Sequence, residues 1–171
     1  MPAVTLSDVC ERLVGRRSLK DLSVGCHEGR IDLRGLDVAD VLRERRFGSA
    51  IPLGPRGGPR IVGPWVQVDG DTVSMGGLDL SNIDLSGGRL DCLRFFGCTI
   101  SNCVFDRASC YDWRMWATSV SRSTFRDASL REASMGGLLD GRQNQFRSVQ
   151  FTRTDLRQSV HGSAVFVDCV F

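Results

Sequence analysis

Residue types able to do chemistry are plentiful in this chain, but their spacing assembles no reactive set. Cys92, Cys98, Cys103 and Cys110 fall close together, yet none shows the CxxC spacing that lets two thiolates grip one metal ion. There is no GxxxxGK[ST] loop to cradle a phosphate and no HExxH to hold zinc. Serine, histidine and aspartate all occur, but nothing in the sequence draws them into a triad. His161 is read as an interior or edge histidine with a local hydrogen bond. Asp79, Asp84 and Asp127 are read as outward, solvated carboxylates. No catalytic, cofactor-binding or metal-binding residue is assigned, and the chain is read as a non-enzyme.

What positions these side chains is a register of five. Met75, Leu80, Leu85, Leu90, Phe95, Ile100, Phe105, Cys110, Met115, Val120, Phe125, Leu130 and Met135 recur at that spacing. The register slips by one within GGLLDGRQNQ and resumes at Phe146, Phe151, Leu156, His161, Phe166 and Phe171. A second series, mostly of smaller residues, lies two positions before each of these: Leu78, Ile83, Gly88, Leu93, Cys98, Cys103 and onward. A period of five fits neither a helix nor a strand, which repeat at 3.6 and 2. Such internal periodicity marks a stacked, repetitive architecture.

The units GLDLS, NIDLS and DASLR resemble the pentapeptide-repeat family, whose loose consensus is A(D/N)LXX. The resemblance covers about residues 71–171. It implies an all-β solenoid, a right-handed quadrilateral β-helix with four five-residue sides per coil. The large central residue and the small residue two before it point inward, and stability comes from stacking coil on coil.

Stacking residues twenty apart predicts four interior columns. One is an aromatic file of Leu85, Phe105 and Phe125, continued by Phe146 and Phe166. Leu90, Cys110, Leu130, Phe151 and Phe171 form another, and Met75, Phe95, Met115, Met135 and Leu156 a third. Leu80, Ile100 and Val120 precede the slip and His161 ends their column. The slip predicts a bulge near 138–141, with Gly136, Gly137 and Gly141 supplying unusual dihedrals. Trp113 occupies an inward position that is small elsewhere, which predicts a bulge or a local change of register. Cys98, Cys103 and Cys110 fall on inward positions of successive sides, so they read as buried and not as a shared metal site.

Outward positions carry the candidate site. Arg94 and Phe96, with Arg114 and Trp116 one coil later, place two arginines and two aromatics on one side. These are residue types enriched at binding hot spots. The competing reading covers Phe96 and Trp116 with the N-terminal segment. At the other end, Val165, Val167 and Val170 point outward and Phe171 inward on a last coil with no visible cap. Bare strand edges are normally covered. A homodimer stacked end to end, a longer native chain, or the N-terminal segment folding over would each cover this end, and the family resemblance favours the dimer.

Residues 1–47 read as a partly helical N-terminal cap. Ser7 is a candidate N-cap for a first helix and Asp37 for VADVLRERR, while GRIDLRGLDV holds two five-spaced units suited to a partial coil. Residues 48–70 comprise a Gly/Pro-rich loop and a lead-in strand, WVQVDGDTV, whose Asp-Gly also suits a hairpin. Residues 71–171 are the β-helix.

Composition narrows function further. There are 22 basic and 20 acidic residues, a net charge of +2. Residues 71–171 hold 11 of each, for a net charge of zero. Some members of the family bind type II topoisomerases such as DNA gyrase as acidic DNA mimics and confer drug or toxin resistance. A neutral rod is a poor copy of a polyanion, so this stands as the alternative. Arg43, Arg45, Arg46, Arg56 and Arg60 are interleaved with glycine and proline and not with stacking aromatics, so nucleic acid is not the expected partner. No apolar run approaches a membrane span. The first residues lack a secretory pattern, and the seven cysteines, an odd number, suit reduced thiols in the cytoplasm. The leading reading is a rigid, non-enzymatic protein-binding module with an unidentified protein partner.

Overall fold

In the computed structural model, residues 4–44, Phe47 and 63–171 are described. The arginines at 45, 46, 56 and 60 and most of the Gly/Pro-rich loop lie outside these residues. The elements in chain order are α1 (Leu6–Val14), a single 3-10 turn (Leu19–Asp21), β1 (Cys26–His27), β2 (Arg30–Asp32), α2 (Ala39–Glu44), β3 (Trp65–Asp69) and β4 (Thr72–Gly76). The short strands of the coil follow: β5 (Asp79–Ser81), β6 (Ile83–Asp84), β7 (Leu93–Phe96), β8 (Thr99–Ser101), β9 (Arg114–Trp116), β10 (Ser119–Ser121), β11 (Ser134–Gly137), β12 (Gln145–Arg147) and β13 (Val165–Val167).

The register of five is written in the backbone as corners. Gly77, Asn82, Gly87, Cys92, Gly97, Asn102, Arg107, Asp112, Ala117, Arg122, Asp127 and Glu132 all have positive φ. A left-handed residue every fifth position turns the chain, and glycine and asparagine take that conformation at least cost. Between corners the sides pair in parallel with the coil above and the coil below. Two sides form ladders, ordered β13-β12-β10-β8-β5 and β11-β9-β7-β4-β3, the last pair antiparallel. The other two sides are joined by single bridges, such as Val104 to Thr124 and Ser109 to Ser129. The result is the all-β quadrilateral solenoid that the repeats imply.

The column order departs from the simple twenty-residue stack. Ile100 pairs with Val120, but Val120 pairs with Phe146, so one coil carries six extra residues. One of them is taken up by a bulge in β11, where Ser134 pairs with Arg114 but Gly137 with Trp116, and the other five leave the coil within 138–143 as a small loop closed by Leu139 and Arg142. The columns therefore exchange partners after the loop. Phe146 and Phe166 continue Leu80, Ile100 and Val120. Phe151 and Phe171 continue the aromatic file, with Phe105–Phe125, Phe125–Phe151 and Phe151–Phe171 stacked at 4.7, 5.5 and 5.1 Å. Leu156 lies below Leu130, and His161 lies below Met135. Partial desolvation there lowers the His161 pKa, and Ser159 Oγ sits 2.9 Å from its Nε2.

The glycines at the loop act differently from one another. Asp140 and Gly141 turn it with φ of 50° and 73°. Gly136 and Gly137 have no positive φ, and closeness is what requires them. A Cβ on Gly136 would lie 2.9 Å from the backbone of Gly162, and one on Gly137 would lie 2.3 Å from the Met115 carbonyl oxygen. Trp113 causes neither bulge nor register change, because Arg94 pairs with Arg114 in the regular way. The ring is fully buried, and the nearby inward positions are small: Ala108, Cys110, Ala128 and Ala133. Burial pushes the thiol pKa values of Cys98 and Cys103 up to about 11 and raises that of Cys110 well above its ordinary value.

The N-terminal segment closes one end of the coil. Thr5, not Ser7, caps α1. Its hydroxyl accepts from the Asp8 amide and the Asp8 carboxylate accepts from the Thr5 amide, while Ser7 is buried inside the first turn. Asp37 accepts from the Ala39 amide ahead of α2. Leu6, Val9, Cys10 and Leu13 of α1 lie over Met75, Ile83, Leu85 and Leu90 at the open end of the interior. Residues 30–38 form a partial coil, with Ile31 pairing Ile83 and Asp37 pairing Arg89.

That partial coil corrects the reading of Asp84, which is 3% exposed and not solvated. Its Oδ2 lies 2.6 Å from His27 Nδ1, and its Oδ1 accepts from the Ser86 amide. Burial raises its pKa, but the Ser86 hydrogen bonds and then His27 outweigh burial, and the net direction is down. A lowered carboxylate pKa adds stability above the unfolded value, near 4, which is lost as pH falls through the folded value. Asp84→Asn is therefore expected to flatten the acid limb. Urea unfolding from neutral pH downward checks this, and parallel curves for the two proteins would refute it.

Candidate functional site

The side carrying the candidate residues is built by β4, β7, β9 and β11. Gly76, Phe96, Trp116 and Gly137 stand in one outward row. The Phe96 and Trp116 rings stack in parallel, 4.4 Å apart with 1° between planes. Strand β3 extends this side as the edge strand beside β4, with Trp65 opposite Gly76, and the Trp65 ring reaches across that glycine to Phe96 at 5.7 Å. Leu139 from the inserted loop joins the same cluster, making a small second core outside the coil.

This arrangement divides the four sequence-predicted residues. Phe96 is 7% exposed beneath Trp65 and is not available to a partner. The Arg94 side chain is 15% exposed. It donates to Asp112 Oδ2 at 2.7 Å and also to the Asp112 carbonyl oxygen, tying a side to a corner. Arg114 and Trp116 do reach solvent. Arg114 donates to the other Asp112 oxygen at 3.1 Å with its side chain 48% exposed, and Trp116 is half-buried at the edge of the cluster. Tyr111, on the adjoining side just before the Asp112 corner, and Leu138, which follows Gly137, are also at the surface, at 37% and 52% exposure. Tyr111 donates its phenol hydrogen to Glu132 at 2.7 Å, which holds the ring in place.

The sequence reading missed Trp65, Tyr111, Leu138 and Leu139. A signal for Trp65 did exist. Glycine at 76 and at 137 brackets Phe96 and Trp116 in the same outward row, and glycine in a strand marks close approach by another group. A Cβ on Gly76 would lie 2.0 Å from Trp65 Nε1 and 2.1 Å from its Cε2. Gly76→Ala is expected to cost about 1–3 kcal/mol by overpacking. In a Trp65→Ala background the same change should cost far less, because neighbours in contact are not additive. Chemical denaturation of the four proteins gives the cycle, and equal costs in both backgrounds would remove Trp65 from the explanation.

The predicted end face is also on the surface. Val165 and Val167 are half-buried on β13, which pairs on one edge only. Val170 and Phe171 are 53% and 65% exposed. Among the described residues no group of three or more His, Cys, Asp or Glu could hold a metal ion, and no helix is long and apolar enough to cross a membrane.

No family model and no curated protein matches the chain. Among solved structures, it is similar to HetL, a pentapeptide repeat protein involved in heterocyst differentiation regulation from the cyanobacterium Nostoc sp. strain PCC 7120. The identity is 14%, over 54% of this chain and 46% of HetL, with a TM-score of 0.24. This chain thus spans under half of HetL's length. It is also similar to Rfr23, a pentapeptide repeat protein from the cyanobacterium Cyanothece 51142. Here the identity is 11%, over 98% of this chain and 99% of that one, again with a TM-score of 0.24.

Proposed function

We propose that this pentapeptide-repeat β-helix is a non-enzymatic protein-binding module that docks through the side centred on Trp116 and Arg114. The observation behind it is the surface composition there: a stacked tryptophan and a half-exposed arginine, with the exposed Tyr111 across the Asp112 corner and the exposed Leu138 after Gly137. Aromatic and arginine anchors on a pre-organised surface supply most of the energy of protein interfaces. The rings are already fixed before a partner arrives, so little ordering entropy opposes binding.

Arg114→Glu with Leu138→Asp changes exposed groups and leaves the Phe96–Trp116 stack alone. Immobilised wild-type and double-variant protein should differ in what they retain from native lysate, with a protein held by the first and lost by the second. Identical retention would end the assignment. Ion pairs cancel part of the negative charge that the topoisomerase-directed alternative would need. Asp112 is paired with Arg94 and Arg114, Asp127 with Arg153, and Asp155 with Arg157. A supercoiling assay with purified gyrase tests it.

Self-association through Val165, Val167, Val170 and Phe171 belongs to the same proposal, supported by the apolar end face and the single-sided pairing of β13. Val170→Asp with Phe171→Asp should convert a dimer to a monomer in light scattering. A wild-type monomer at high concentration would exclude this contact. All seven thiols are free, which suits a reducing compartment such as the cytoplasm.

A further inference from the structure

We infer that the groove between the N-terminal cap and the first coil is a second docking site, shaped for an acidic peptide segment with an apolar anchor. The groove measures about 1010 Å³, at the upper end of ligand-cavity sizes and enough for several peptide residues. It is separate from the Trp116 side and contains none of the residues proposed there. On the cap side its apolar wall is Leu13 and Val24, and its rim carries Arg16, Arg17 and Lys20.

The rim cations are exposed, and the charge around them is unbalanced. Arg17 has Glu11 at 3.7 Å. Arg16 and Lys20 have no ion-pair partner among the described residues. On the opposite wall the coil contributes one carboxylate, Asp79, which accepts from the Ser81 hydroxyl. Two unpaired cations beside an apolar wall call for carboxylates beside a leucine-type side chain, because complementary charge fixes partner and register. Among the described residues no aromatic ring lines the groove, so they offer nothing on which the bases of a single strand would stack.

A reporter is built into the wall. Cys26 lines the groove and is exposed, while Cys10, Cys98, Cys103 and Cys110 are buried. Replacing the half-buried Cys92 and Cys169 with serine leaves Cys26 as the one accessible thiol. The test measures the alkylation rate of Cys26 in the full chain, with the peptide EELEELEE as probe. At a peptide concentration about ten times Kd the rate should fall about tenfold by mass action, and added salt should restore it. Arg16→Glu with Lys20→Glu should abolish this protection while circular dichroism and Tm stay those of the parent. The reversed-charge peptide KKLKKLKK should protect the variant and not the parent. No protection at millimolar EELEELEE, equal protection by both peptides, or protection by a duplex oligonucleotide in place of the peptide would each overturn the inference. A Trp116 side that fails its own test leaves this result untouched.

Discussion

Trp113→Ala is expected to lower the unfolding free energy by about 3–5 kcal/mol, the range for emptying a large aromatic site in a packed core. Trp113 is fully buried and meets three rings edge-on: Phe95 at 4.9 Å, Phe105 at 5.4 Å and Phe125 at 6.0 Å. These rings come from more than one coil, so the indole ties layers together as well as filling space. Its Nε1 also donates to the Leu90 carbonyl oxygen, which alanine would leave without that partner. In a stack where each coil depends on its neighbours, that loss spreads to the interfaces on both sides. Trp113→Phe keeps most of the volume and loses the donor, and should cost about 1–2 kcal/mol. Urea unfolding with a shared m value checks both. A cost below about 1 kcal/mol for the alanine variant would mean that the core relaxes around the missing ring.

The solenoid was readable because its period is enforced at every corner. Each fifth residue must turn the chain and each central residue must fill the axis, so composition repeats along with geometry. The inserted loop was visible only as a slip of one. Six residues and one residue shift a five-residue register equally, and only the pairing of Val120 with Phe146 separates them. The aromatic file consequently runs through Phe151 and Phe171.

The candidate side was half legible for a related reason. Position in the repeat says that a side chain points outward, but not whether another segment lies on it. Phe96 and Arg94 point outward and are nonetheless enclosed, by Trp65 and by Asp112 respectively. Asp84 shows the same effect at the cap, where residues 30–38 add a layer above it. What fell outside sequence reasoning was long-range covering of a locally exposed surface. Glycines placed opposite aromatics are the available clue.

Asn144→Ala should be nearly as damaging as the loss of Trp113, although it removes only a small polar side chain. In the regular coils the second inward residue feeds the layer before it: the Cys98 amide donates to Thr118 Oγ1 and the Cys103 amide to Ser123 Oγ. Asn144 takes that place after the inserted loop and does more. Its Oδ1 accepts from the Thr118 amide at 2.8 Å, and its Nδ2 donates to the carbonyl oxygens of Met115 at 2.8 Å and Met135 at 2.6 Å. The residue is completely buried, so water cannot replace these bonds without entering the core. Three backbone groups would lose a partner, at about 1–3 kcal/mol for each one left unsatisfied. A total loss of about 3 kcal/mol or more is expected. Asn144→Asp sharpens the test, because it keeps the acceptor for Thr118 but turns a carboxylate toward two carbonyl oxygens. Such a group holds a proton more tightly. Its folded pKa would lie above the unfolded one, so its penalty should be largest at neutral pH and shrink as the solution is acidified. A control comes from deleting residues 138–143, which returns the coil to twenty residues with Asn144 in the place of Thr118. That chain should still fold. Thermal unfolding of the three variants decides the matter: a harmless Asn144→Ala, or an Asn144→Asp penalty that grows in acid, would show that the corner closes without this side chain.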